Sequence, residues 1–318
     1  MKVLHVDNIA YVAHNLVHEL RRKGHDALLI GLYHPAQLPC DIAVVPEGDR
    51  NDPKVMKKAV RKEFKEIRKH IKDYDIVHVH GGLGTSGLYY WFKKAWGKKV
   101  VIHFHGTDLR GNNNTKFHTV ADLVLVSTPD LLKYSKNVGG KKLVHIPNPV
   151  NLRRMKVVDM KTREPLLEKK KIMIAHMPTW RAFKGTEGII KAVKKLKKKY
   201  NIELDLIEGA DHKTAQKRLR ASDICIDWVS KKFDIYGMVS IEAMSYGIPT
   251  LCRYNEQYYN PPILNTEPKD IQKNLERLIV NRDFYLTTSK RSRKYVEDVH
   301  DVKKAVAQIV KLYKKISK

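Results

Sequence analysis

With 318 residues, 42% of them hydrophobic, the chain can build two domain cores of ordinary size, and no run reaches the roughly 18 apolar residues of a membrane span. Sixty-one Lys and Arg against 34 Asp and Glu leave a net charge of +27, which points to anionic partners: nucleic acid, acidic lipid headgroups or phosphorylated small molecules. Three scattered cysteines (Cys40, Cys225, Cys252) without CxxC spacing argue against disulfides and zinc. The start shows no charged region leading into an apolar one, so the expectation is a cytoplasmic protein.

In chain order, the first half alternates short apolar runs with helical patterns. VLHV (3–6) is followed by a helix from about Ala10 to Arg22, then ALLIGL (27–32) and DIAVV (41–45). The stretch 54–71 is a helix with Val55, Met56, Ala59, Val60, Phe64, Ile67 and Ile71 on one stripe; eight Lys/Arg and two Glu occupy the rest. That basic face is read as solvated, with contact to anionic lipid as the sharper alternative. DIVHVH (75–80), a Gly-rich turn at 81–87, an aromatic helix with Tyr89, Tyr90, Trp91 and Trp96, KVVIHFH (99–105), ADLVLVS (121–127) and KLVHIPN (142–148) complete the half. Continuous Val/Ile runs separated by helices predict a parallel sheet covered on both faces.

A polar stretch without a clean period, about 150–171, reads as a linker. The alternation then restarts with KIMIAHM (171–177), a helix at 186–199, IELDLIE (202–208), a helix at 213–220, DICIDWV (223–229) and IPTLCRY (248–254), and ends in helices to residue 318. The expected domains are 1–165, 166–285 and a helical tail, 286–318, that packs back on the first domain. Both large domains are expected to be doubly wound, with ligands at the carboxyl ends of their strands.

The most informative stretch is DIYGMVSIEAMSYGIP (234–249). Gly237 precedes the apolar-periodic Met238, Ile241 and Met244, and Gly247 with Pro249 ends the helix. Such a helix start offers backbone N–H groups and a positive dipole end to phosphate. Asp234 stands before it and Glu242 one turn inside, and a carboxylate can accept from vicinal hydroxyls. A nucleotide-sugar has this distribution of groups. Arg181 and Lys184, in PTWRAFKG (178–185), are placed in a loop before the next helix, where paired cations would neutralise a diphosphate. The pairs His78/His80 and His103/His105 suggest metal ligands. Because successive strand residues alternate between faces, one member of each pair is read as structural and no metal is expected.

The run of K-G-T-x-x-I-x-x-A, A-S-D-I-x-I-D and D-x7-E, preceded by DIVHVHGG, VIHFHGTD, ADLVLVSTPDL and HIPNPVN in order, resembles the retaining glycosyltransferases of family 4, with the GT-B fold. The resemblance implies two Rossmann-like domains facing across a cleft, an acceptor-side domain first and a nucleotide-sugar domain second. It also implies transfer from a nucleotide-diphosphate sugar with retention and without a metal or other cofactor. Glu242 would bind the ribose, Asp234 the donor-sugar hydroxyls, and His105 the sugar near the reacting carbon. Arg181 and Lys184 would hold the diphosphate, and the backbone of Gly237, Met238 and Val239 the diphosphate or sugar. Two departures stand out: Asp-Ile at 234–235 replaces the family's Glu-Gly, and DNIAY (7–11) lacks the usual glycine-rich loop. The acceptor is expected to be a carbohydrate or a lipid-linked or cell-envelope glycan, with peripheral contact to an anionic membrane. Alternatives are a catalytically silent GT-B binding protein, sugar-nucleotide epimerisation, and a basic nucleic-acid-binding protein, although no nucleic-acid motif is present and the basic residues are spread over several helices.

Overall fold

The computed structural model describes residues 1–33, 38–81, 88–111, 119–159, 165–231, 234–258 and 260–318. The Gly-rich turn, apart from Gly81, therefore lies outside the described residues. The chain divides into two compact units, Met1–Pro149 with Val302–Lys318, and Val150–Asp301.

In the first unit seven strands form a parallel sheet: β1 (Lys2–Val6), β2 (Asp26–Leu32), β3 (Ile42–Val44), β4 (Ile76–His80), β5 (Lys99–Phe104), β6 (Leu123–Val126) and β7 (Leu143–His145). Their order is β3-β2-β1-β4-β5-β6-β7, so the winding reverses between β1 and β4. Helices α1 (Val12–Arg22), α2 (Pro53–His70), α3 (Leu88–Lys94) and α4 (Thr107–Arg110) connect them. Alternation along each strand sorts the side chains into two cores. Leu4, Val6, Val77, Val79, Ile102 and Phe104 join Ile67 of α2 on one face, while Val3, Ile76, Val101 and Leu125 meet Val12 and Leu16 of α1 on the other.

The second unit holds β8 (Ile172–His176), β9 (Ile202–Leu206), β10 (Ile224–Ile226), β11 (Thr250–Cys252) and β12 (Leu264–Asn265), all parallel, in the order β12-β11-β10-β8-β9. Its helices are α5 (Arg181–Lys184), α6 (Thr186–Leu196), α7 (His212–Ala221), α8 (Met238–Ser245), α9 (Ile271–Val280) and α10 (Arg282–Val299). Helix starts follow local chemistry. The Asp52 carboxylate accepts from the Lys54 N–H at 2.8 Å with Pro53 at the first position of α2, Asp211 caps α7 through the Thr214 N–H at 3.0 Å, and Asn281 caps α10 through the Phe284 N–H at 2.9 Å.

The division of the chain differs from the compositional reading, which placed boundaries at 165 and 286. Within the polar stretch, Val150, Met155 and Leu166 are buried in the second unit's core, as are Tyr285 and Val296 of α10. A few apolar anchors outweigh the polar average. Only the last helix, α11 (Val302–Ser317), belongs to the first unit, where Val306, Ile309 and Tyr313 join the α1 side of the sheet.

Two further departures concern the segment after β1. Asp7, Ala10 and Tyr11 take left-handed backbone angles (φ 66°, 50° and 46°), so the DNIAY segment adopts glycine-type conformations without glycine, at a cost of about 1–2 kcal/mol per residue. Glu63 of α2, which periodicity assigns to the solvated face, is 1% exposed and shares a hydrogen bond with Asp7. Burial pushes the Asp7 carboxyl up to about 6, and burial beside Asp7 drives Glu63 well above the carboxylate range.

Raised carboxyl pKa values mean that the folded chain retains protons the unfolded chain releases. This contribution is complete below the unfolded values of 3.8 and 4.5 and is lost as pH rises through the folded values, about 6 for Asp7 and well above 4.5 for Glu63. Glu63→Gln should therefore be more stable than the parent chain at pH 8, by on the order of 1–2 kcal/mol, with the difference shrinking toward pH 5. Urea unfolding of both proteins at the two pH values measures it. A pH-independent difference would remove the buried-proton account.

Candidate functional site

The start of α8 is organised by a residue that motif reading passed over. Asp227 follows β10 and is 1% exposed. Its Oδ2 accepts from the Gly237 N–H at 3.1 Å and the Ser240 hydroxyl at 2.8 Å, while Oδ1 meets the Lys184 ammonium at 2.5 Å. Gly237 carries no side chain to cap its own helix, and Asp227 supplies the cap from the neighbouring strand end. The Lys184 ammonium also lies 4.2 Å from the Trp228 ring centroid. Glycine is required at 237 by close approach, since a Cβ there would stand 2.6 Å from Trp228 Cζ3 and 2.9 Å from Asp227 Oδ2. A signal existed: the acid closing A-S-D-I-x-I-D is Asp227.

Glu242 lies inside α8, 3% exposed, with Oε1 at 3.5 Å from Nε2 of His212. His212 is the first residue of α7, in the loop region after β9 where ligand contacts were expected but no residue was singled out. Asp234 is more open: its Oδ1 is 3.6 Å from an Arg253 nitrogen, and Arg253 is shared with Glu267 at 2.9 Å. Met238 and Val239 are half-buried at the first two positions of α8.

Arg181 and Lys184 do not lie in a loop. They occupy the short helix α5, which places them on different partners. Arg181 is exposed and makes a bidentate pair with Glu208, both contacts at 2.8 Å, plus a contact to Glu187 at 3.0 Å. The Glu208 carboxylate drives its pKa further up. Lys184, 8% exposed, is committed to Asp227. Each cation is held by its own carboxylates.

His105 belongs to the first unit. Its N–H donates to Asp108 at 2.9 Å, Nδ1 meets the Ser127 hydroxyl at 2.7 Å, and Nε2 is 3.3 Å from Nδ1 of His80. Burial lowers its pKa to about 4, against the opposing pull of Asp108 and of a hydrogen bond with Asn148. The expected split of each His-x-His pair between faces is corrected here, because residues two apart share a face. His5, His78, His80, His103 and His105 form one row on the side covered by α1 and α11. Facing rings are 4.3 Å apart for His78 and His80 and 4.6 Å for His103 and His105. His5 Nδ1 meets His80 Nε2 at 3.0 Å, and His78 Nδ1 meets the Tyr313 hydroxyl at 2.5 Å. Burial keeps His78, His80 and His103 well below the usual imidazole range, and neutral.

Two doubly wound parallel units with a final helix returned to the first define a glycosyltransferase-like GT-B fold. Residues 9–154 match the family model described as Glycosyltransferase Family 4. Solved structures with the same fold include sucrose-phosphate synthase from Thermosynechococcus elongatus (TM-score 0.73, 15% identity, 99% of each chain covered). Another is Anabaena HepE in complex with UDP-glucose (TM-score 0.68, 14% identity, 99% of this chain and 100% of that one). UDP-GlcNAc 2-epimerase from Neisseria meningitidis bound to UDP-GlcNAc is also similar (TM-score 0.62, 14% identity, 99% of this chain and 100% of that one). A search of curated protein sequences returns no match.

Removing Asp227 strands the buried Lys184 charge and uncaps α8 together. Asp227→Ala is expected to destabilise the fold by about 3–5 kcal/mol, and Asp227→Ala combined with Lys184→Met by clearly less, because no buried charge is left unpaired. Denaturant titrations of the two variants test this. Equal losses would mean that the pair is not electrostatically coupled.

Proposed function

We propose that the chain transfers a sugar from a nucleotide-diphosphate donor to an acceptor hydroxyl, with retention at the anomeric carbon. The observation that carries this reading is Glu242: a buried carboxylate inside a helix whose first turn is aligned by Asp227. Glu242, with His212 beside it, accepts hydrogen bonds from the ribose hydroxyls. The diphosphate lies against the Met238 and Val239 N–H groups and the positive end of α8. Lys184 is already compensated by Asp227, so its main effect is to fix that helix start. Arg181 reaches the diphosphate only by exchanging its bonds to Glu208 and Glu187, so it acts late, as charge builds on the leaving group. Asp234 takes the donor-sugar hydroxyls, and the family resemblance assigns His105 to the sugar as well.

In this mechanism the bond from the anomeric carbon to the diphosphate oxygen breaks while the acceptor oxygen bonds on the same face. The acceptor proton passes to the departing phosphate. The protein supplies position and charge rather than a nucleophile, and the reaction draws its positive charge from α8 and Arg181 rather than from a metal.

UDP is the first nucleotide to try, since two of the similar structures hold UDP-sugars. Ligand at about a hundred times its dissociation constant should stabilise the fold by roughly 2.7 kcal/mol, a clear rise in melting temperature, and Glu242→Ala should abolish the rise. No shift with UDP, GDP, ADP or their sugar conjugates would favour a silent binding protein. Epimerisation is a second reading, supported by the epimerases among the similar structures. Inverting C2 requires breaking its C–H bond, so deuterium uptake at C2 of UDP-GlcNAc in heavy water would decide for it; transfer leaves that bond intact.

The acceptor is proposed to be lipid-linked or cell-envelope glycan at an anionic membrane surface. Lys57, Lys58, Arg61 and Lys65 of α2 are exposed, although Lys58 also pairs with Glu47 at 3.0 Å. Among the described residues no helix is long and apolar enough to cross a membrane. Replacing the four cations with Glu should eliminate sedimentation with anionic vesicles at low salt, and unchanged sedimentation would exclude this face.

A further inference from the structure

We propose that His80, His103 and His105 bind a divalent transition-metal ion of the zinc class, each through one ring nitrogen. The proposal does not rest on the glycosyl-transfer reading, although it takes up His105, which that reading assigns to the sugar. One ring nitrogen from each of the three lies within 4.8 Å of the others.

Hydrogen bonds identify which nitrogens these are. His103 Nε2 meets the Ser127 hydroxyl at 3.1 Å, and its Nδ1 is buried without a partner. His105 Nδ1 meets the same hydroxyl at 2.7 Å. His80 Nε2 is engaged by His5 Nδ1 at 3.0 Å. The opposite nitrogens are His103 Nδ1, which is unpartnered, and His105 Nε2 and His80 Nδ1, which face each other and would turn to a shared ion. Every ligand then has its opposite nitrogen fixed by a second partner, the arrangement that orients metal-bound imidazoles.

The spacing fits as well. His80 Nδ1 and His105 Nε2 are 3.3 Å apart, long for a hydrogen bond between ring nitrogens. Bonds of about 2.0–2.1 Å at tetrahedral angles place two ligating nitrogens roughly 3.3–3.4 Å apart. The neighbouring group His5, His78 and His80 is less suited, because His5 Nδ1 is bonded to His80 Nε2 and His78 Nδ1 to the Tyr313 hydroxyl. Three imidazoles leave a fourth position open, as in zinc sites that bind water or a substrate oxygen. Imidazole ligation selects Zn²⁺, Co²⁺, Ni²⁺ or Cu²⁺ over Mg²⁺. A bound ion would occupy Nε2 of His105.

The test is a titration of the full, chelator-stripped chain with Co²⁺, read by visible absorption. The expected result is the intense spectrum of four-coordinate Co²⁺, saturating at one ion per chain and displaced by Zn²⁺. His103→Gln retains a group for Ser127 and removes Nδ1, so the spectrum should vanish while circular dichroism shows a folded chain. His78→Gln should leave the titration unchanged. Should His103→Gln fail to fold, Ser127→Ala serves instead, with an expected loss of about 10–100-fold in affinity. A wild-type chain without the spectrum overturns the proposal, as does a titration that His103→Gln or, where that variant does not fold, Ser127→Ala leaves unchanged.

Discussion

A buried carboxylate that has to be satisfied governs the second unit. Asp227 sits at the end of β10 with three donors converging on it: the Gly237 N–H, the Ser240 hydroxyl and the Lys184 ammonium. An ionised carboxylate with too few partners in such a place would be costly. Satisfying it fixes the first turn of α8, the course of the chain through α5 and the position of the Trp228 ring under Lys184. Glu242 inherits its place from this arrangement, because its direction follows from where the helix begins.

The first unit is ordered by a different rule. Alternation along parallel strands sends Val3, Ile76 and Val101 into the core under α1 and α11, and the same parity carries His5, His78, His80, His103 and His105 onto that face nearer the carboxyl ends of the strands. Neutral imidazoles tolerate burial where charged side chains do not, provided their nitrogens find partners. Ser127, Tyr313 and the rings themselves supply most of these partners, and the orphaned nitrogens are the unusual remainder.

The alternation of strands and helices was plain in the sequence because buried parallel strands read as unbroken Val/Ile runs. Gly237 and the acid–helix–acid spacing were legible for the same local reason. What was hidden depended on partners distant in sequence. Nothing near Glu63 shows that its carboxyl turns inward to Asp7, and nothing near Arg181 shows Glu208 waiting for it. Lys184 was read as a loop cation open to a diphosphate, although it is buried against Asp227. The unit boundaries eluded composition because Val150, Met155 and Leu166 are few but well buried. The family match and the fold agree on what the chain resembles; these contacts determine how its own residues are disposed.

The return of α11 bears on how the protein is made. Val302, Val306, Ile309 and Tyr313 are buried against the sheet formed by the first 149 residues, and the Tyr313 hydroxyl reaches His78. During synthesis the first unit therefore emerges with one side of its sheet only partly covered, while the second unit is still being translated. The second unit is contiguous and can close as soon as α10 has left the ribosome. The unit that starts before the other is completed after it, and until then its histidine face depends on α1 alone for cover.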